Sequence, residues 1–249
     1  MKLRTQTLLL PWLDVVAIAA WGILLLKYWL NGKLGLLIHP DYFWLVIVTA
    51  LSLLVVAGLK GYELLQGRRA TAPSLQHLTL FPPGLSSALL LTTAILGLVF
   101  TPHVFASQTA LQRGITDVSL TRSQPQAFRS SRPPEQRSLI DWVRTINTYP
   151  EPDSYTGQKV NVQGFVIHPP ELPEQYLLVS RFVITCCAAD AYPVGLPVKL
   201  AQDRKAYPPD TWLKVEGQMT TESLAGKRQL TIQASSIKQI AEPKNPYDY

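Results

Sequence analysis

Cys186 and Cys187 are the only cysteines among 249 residues, and they are adjacent, inside the run Arg181-Phe182-Val183-Ile184-Thr185-Cys186-Cys187-Ala188-Ala189-Asp190-Ala191. Thiolates are soft ligands and nucleophiles, so a neighbouring pair is a candidate for metal binding or thiol exchange. On a regular strand the two side chains would point to opposite faces and could not share one small ion. The β-branched run stops at Thr185, however, and Ala188-Ala189-Asp190 predicts a turn at Cys187 that lets both sulfurs converge. Asp190 then offers an oxygen, and His168, at the end of the preceding expected strand, a nitrogen. Two thiolates with Asp or His suit Zn²⁺ or another transition metal, and thiolates alone suit Cu(I). Arg181 and Thr185 in the same run are candidate ligand-binding residues. Two other readings of the pair stand beside this one: two small apolar side chains packed in a core, or a strained bond between neighbours in an oxidising compartment.

Strands must position these residues. Residues 159–167 place Val160 and Val162, then Val166 after Gly164, at strand spacing; residues 176–187 form a longer β-rich run, and 194–200 a short one. Residues 212–219 alternate Leu213, Val215 and Gly217 with Lys214, Glu216 and Gln218, and residues 229–233 with 237–240 close the set. Turn signals at Pro169-Pro170, Pro208-Pro209-Asp210 and Ala225-Gly226-Lys227 separate them. With no helix of length between the second and fifth strands, the spacing predicts a small antiparallel OB-like β-barrel, with Gly164 and Gly217 where strands bend sharply. Ahead of it, Ser138 is placed to cap a short helix whose stripe is Leu139, Trp142, Val143 and Ile146, ending before Pro150. The expected fold is three transmembrane helices followed by this barrel: a membrane domain over 1–106, a flexible tether over 107–137 and an outer barrel domain over 138–249.

The membrane assignment rests on three apolar stretches, residues 8–30, 42–59 and 80–104, long enough to cross hydrocarbon and without a polar helical face. Asp14 and Lys27 are the charges within the first, and Pro82-Pro83 opens the third. Trp12, Asp14 and Trp21 interrupt the first stretch, which reads as a retained anchor, not a cleaved signal. Lys2, Arg4, Lys60, Arg68 and Arg69 flank one side of these stretches, against Lys27 and Lys33 on the other, so the C-terminal domain is expected outside the cytoplasm. The formal net charge of +6 comes mainly from these flanks: residues before 105 hold seven of the 23 basic residues but three of the 17 acids. A membrane-flank excess is not a nucleic-acid footprint, so a nucleic-acid partner is not expected.

No phosphate-binding glycine loop, nucleophile elbow, His-Glu metalloprotease pair or dinucleotide fingerprint occurs, and no enzymatic role is expected. The order of parts, with Gly157-Gln158-Lys159-Val160-Asn161-Val162-Gln163-Gly164-Phe165-Val166 and the Cys186-Cys187-Ala188-Ala189-Asp190 run, resembles the YcgQ-like family of bacterial membrane proteins. That resemblance implies an accessory subunit of a two-component permease complex in the cell membrane, partnered with a larger polytopic permease, with a metal as a plausible substrate. The long Pro- and Gln-rich tether departs from the family pattern. A membrane-tethered thiol protein, assisting redox or cofactor assembly outside the cytoplasm, is the alternative.

Overall fold

The computed structural model describes residues 2–67, 84–114 and 132–249, which fall into two compact units, Met1–His103 and Val104–Tyr249. In the first, α1 (Lys2–Leu30) packs against α2 (Phe43–Leu65) and α3 (Leu85–Val99). The apolar segments Leu9–Leu30 and Pro40–Leu65 have 22 and 26 residues. At about 1.5 Å per residue each reaches about 33 Å or more, enough to cross a hydrocarbon core of about 30 Å. The third expected stretch is a shorter apolar helix: α3 has 15 residues, starts after Gly84 in the left-handed region and ends where Phe100 turns extended. Residues 80–83 of that stretch lie outside the described residues.

Side chains of α1 at seven-residue intervals fasten α3. The Asp14 carboxylate accepts from Ser87 Oγ, Trp21 Nε1 donates to the Leu90 carbonyl at 2.9 Å, and Tyr28 Oη donates to the Gly97 carbonyl at 2.6 Å. Lys27 Nζ donates to the Leu98 carbonyl at 2.6 Å, which places a cation on the last turn of α3, where unpaired carbonyls and the helix dipole favour one. Along α2, Trp44, Val48, Leu51, Val55, Leu59 and Tyr62 are exposed at helical spacing, as on a helix solvated by lipid.

In the second unit, α5 (Leu139–Thr148) begins with a reciprocal cap: Ser138 Oγ accepts from the Asp141 amide at 3.2 Å, and the Asp141 carboxylate accepts from the Ser138 amide at 3.1 Å. Its apolar face, including the fully buried Trp142, packs on a six-stranded sheet. The strands are β1 (Lys159–Ile167), β2 (Tyr176–Val183), β3 (Tyr192–Lys199), β4 (Trp212–Leu224), β5 (Lys227–Gln239) and β6 (Tyr247–Asp248). Their order is β1-β4-β5-β3-β2-β6, and β1 also pairs with β2, so five strands have neighbours on both sides. The sheet is mixed, which corrects the antiparallel expectation: β3 runs parallel to β5 at Val198 and Lys199, and β6 parallel to β2 at Phe182 and Val183. Val160, Val162, Leu177, Val179, Leu213 and Ile232 fill the core between them.

The flexible tether expected over 107–137 is corrected at both ends. Residues 107–113 form helix α4 (Ser107–Arg113), which packs on β1 and β3, and Pro134–Gln136 form a 3₁₀ turn against β1. Residues 115–131 lie outside the described residues.

Both flagged strand glycines stand where another chain comes close. A Cβ on Gly164 would approach the Ser180 carbonyl oxygen to 2.5 Å, and one on Gly217, at the β4–β5 register shift, would strike the Gln233 carbonyl. Neither obstacle is a side chain that can swing away. Gly217→Ala is expected to lower the stability of the unit by roughly 1–3 kcal/mol, the usual cost of overpacking, read as a lower urea midpoint. An unchanged midpoint would show that the bulge has room to relax.

Candidate metal centre

β2 ends at Val183, and the fully buried Ile184 is held by its amide donating to the Asp248 carbonyl at 3.0 Å. The chain then leaves the sheet: Thr185 and Cys186 are exposed, Cys187 is half-buried, and Ala188–Asp190 form one 3₁₀ turn. This turn brings the Asp190 carboxylate back over the amides of the preceding residues. Oδ1 accepts from the Thr185 amide at 3.2 Å, and Oδ2 from the amides of Cys186 at 2.8 Å and Cys187 at 3.4 Å. In return the Asp190 amide donates to the Cys187 side chain.

The two Sγ atoms are 3.8 Å apart, and one ligand atom from each of Cys186, Cys187 and Asp190 lies within 4.8 Å of the others. A disulfide would need about 2.05 Å, so these are two free thiols. Two sulfurs at Zn–S bonds of about 2.3 Å, on adjacent corners of a tetrahedron, are separated by about 3.8 Å. The pair therefore has the spacing of a tetrahedral edge. Asp190 spends three acceptor sites on backbone amides, and the fourth of about four on a carboxylate, which takes the Cys186 thiol here, is the one a monodentate bond would use.

The same contacts set the protonation. The Asp190 carboxylate beside it, followed by the Cys187 sulfur, pushes the Cys186 thiol up to about 11. Burial pulls Asp190 upward, but hydrogen bonds from Cys186 and the amides of Cys186, Thr185 and Cys187 outweigh it and hold the carboxyl below its usual range. At neutral pH the metal-free site is thus a carboxylate facing a protonated thiol. A cation must displace that proton, so binding strengthens as pH rises and weakens as it falls, throughout the range below about 11. Zn²⁺ affinity is expected to rise about tenfold per pH unit for each thiol proton released between roughly pH 6 and 8, measured by competition with a chromophoric chelator. A pH-independent affinity would show that no thiol proton leaves.

His168 does not reach this turn. Its Nε2 is 2.9 Å from the Tyr207 carbonyl, and the register pairs Ile167 with Leu178 near the start of β2, whereas the thiols follow its end. Eight residues separate Leu178 from Cys186, about 26 Å if extended. Arg181 is also occupied elsewhere: it pairs with Asp248 at 3.3 Å and donates to the Asn245 carbonyl at 2.5 Å, fastening β6 to β2. Thr185 contributes its amide to Asp190. Arg113, absent from the sequence reading, does touch the turn: its Nη1 donates to the carbonyls of Ala191 and, at 3.4 Å, Ala188. Its signal could not be read locally, since it is one of several arginines in a polar stretch.

A separate cavity of about 410 Å³ opens beside Pro169, Leu172, Leu178, Leu196, Pro197 and Leu230. Its lining contains no aromatic ring, so it provides no stacking surface for bases.

No curated protein matches the chain. Residues 135–249, just under half of it and including the thiol turn, match the family described as the DUF1980 C-terminal domain, which is consistent with the YcgQ-like resemblance.

Proposed function

We propose that this protein is the accessory subunit of a two-component membrane permease, and that its second unit captures a thiophilic divalent cation, Zn²⁺ foremost, at Cys186, Cys187 and Asp190. The 3.8 Å sulfur separation carries this reading, because it is a tetrahedral edge presented on an exposed turn and not a pair packed in the core. The ring of pairings from β1 through β4, β5, β3 and β2 back to β1 supports an OB-like barrel as the scaffold. Three membrane crossings with the C-terminal unit outside the cytoplasm complete the arrangement, on the Lys and Arg asymmetry of the flanks. So few helices offer no repeated halves around a midplane site, which is why a polytopic permease is needed as partner. The thiol-exchange alternative is less favoured because it makes no use of the carboxylate that the turn brings within 4.8 Å of both sulfurs.

Two measurements test the reading. Full-length protein purified in detergent under reducing conditions should take up Zn²⁺ in a one-to-one ratio and co-purify from native membranes with a polytopic permease. A reporter enzyme active only outside the cytoplasm should work when fused after Tyr249. Zinc-free protein after equilibration would remove the metal role, and a reporter active only inside would reverse the topology.

A further inference from the structure

We infer that residues 105–113 form a strap that sets the geometry of the thiol turn, with Arg113 as its positioning residue, so that cation binding and strap docking reinforce each other. This rests on the metal-binding reading above and adds a means of controlling it. The strap enters the second unit two residues after the first unit ends. It is fastened at three places. The Phe105 amide donates to Tyr247 Oη at 3.1 Å, and the Phe105 ring lies against Phe182 and Tyr247, with centroids 5.2 and 5.8 Å away. The Ser107 amide donates to Asp210 Oδ1 at 2.5 Å, and Asp210 is held at φ 67°, a left-handed conformation uncommon outside glycine. At the far end, the Arg113 guanidinium lies 4.7 Å over the Phe105 ring and donates to the carbonyls of Ala188 and Ala191.

Those two carbonyls bracket Asp190, the residue whose carboxylate gathers the amides of Thr185, Cys186 and Cys187. A single guanidinium nitrogen bonded to both limits how far the Ala188–Ala191 segment can swing, and so fixes where the carboxylate meets the sulfurs. Charge acts in the same direction. A divalent cation held by two thiolates and one carboxylate has net charge −1, and the guanidinium of Arg113 is bonded to the same turn. Coupling of this kind is reciprocal: if the docked strap tightens cation binding, the bound cation tightens strap docking by the same factor.

Full-length protein in detergent tests this with Zn²⁺ as probe, comparing wild type, Arg113→Ala, Arg113→Lys and Phe105→Leu, each checked by thermal unfolding. Arg113→Ala is expected to weaken Zn²⁺ binding about tenfold, in the range for residues that orient ligands without touching the metal. Lysine should recover only part of it, because it lacks the planar face that rests on the Phe105 ring, and Phe105→Leu should weaken binding less than Arg113→Ala. Zn²⁺ should also slow amide hydrogen exchange across 105–113 in the wild type and not in Arg113→Ala. Equal affinities with unchanged exchange would overturn the strap while leaving the metal reading intact. If the wild type binds no Zn²⁺, the metal reading fails and the strap is decided by thiol alkylation: a rate several-fold different in Arg113→Ala upholds positioning of the turn, and an identical rate overturns it.

Discussion

Replacing Cys186 and Cys187 together by alanine is expected to weaken Zn²⁺ binding by roughly three orders of magnitude or more, since the change removes two of three protein ligands and the only soft ones at the site. The fold should survive. Both residues lie beyond the end of β2, Cys186 is exposed, and the sulfur contacts of the turn are backed by backbone ones: amides of Thr185, Cys186 and Cys187 on the Asp190 carboxylate, and the Asp190 amide on the Cys187 carbonyl at 3.0 Å. Competition with a chromophoric chelator measures the loss, and Cd²⁺ as a surrogate should lose its sulfur charge-transfer absorption. Asp190→Asn acts differently. An amide group can accept on one side only, so its NH₂ would face one of the backbone amides that now converge on the carboxylate. The turn would loosen while both sulfurs remain, and an intermediate loss of about ten- to a hundredfold is expected. Full Zn²⁺ affinity in the double alanine variant would leave the pair as ordinary side chains on a turn and remove the basis of the proposed function.

What the sequence revealed about this site was local. The break from β-branched residues to Ala188-Ala189-Asp190 announced the turn, and the turn brings the two sulfurs and the carboxylate together. Ser138 was legible as a cap because capping depends on the next three residues. His168 failed for a reason of register: proximity along the chain suggested it, but in an antiparallel pair the end of β1 meets the beginning of β2, far from the residues after Val183. The parallel neighbours were also hidden. Val198 pairs with Ile232 and Phe182 with Tyr247 across long sequence separations, and no local alternation encodes such a partner. Two strand runs read separately as 229–233 and 237–240 are one strand, β5, because pairing to β4 carries the polar Ala234-Ser235-Ser236 stretch through. Tertiary pairing there prevailed over weak local β preference.

Tyr247→Ala is expected to cost the second unit about 3–5 kcal/mol, the range for emptying a large buried aromatic site. The ring is 1 % exposed. It stacks on Phe105 and meets Phe182 edge-on at 6.3 Å, and Phe182 in turn stacks on Phe165 at 5.5 Å. β6 is only two residues long, so its hold on β2 depends on this side chain together with the Arg181–Asp248 pair. Burial pushes the Asp248 carboxyl above its usual range against the pull of Arg181 and Arg144, which makes that pair a weak substitute for the lost ring. Tyr247→Phe separates the contributions: it keeps the aromatic packing and leaves the Phe105 amide without its acceptor, for a smaller loss of roughly 1–2 kcal/mol. Urea unfolding of the full-length protein, followed by tryptophan fluorescence through Trp142 and Trp212, reads both changes. The loss should also reach the thiols, because the Asp248 carbonyl anchors the Ile184 amide immediately before the exposed turn begins. Faster alkylation of Cys187 in Tyr247→Ala than in Tyr247→Phe is therefore expected. An alanine variant with an unshifted urea midpoint would mean that the C-terminal strand does not hold the end of β2, and the turn would have to owe its position to Asp190 and Arg113 alone.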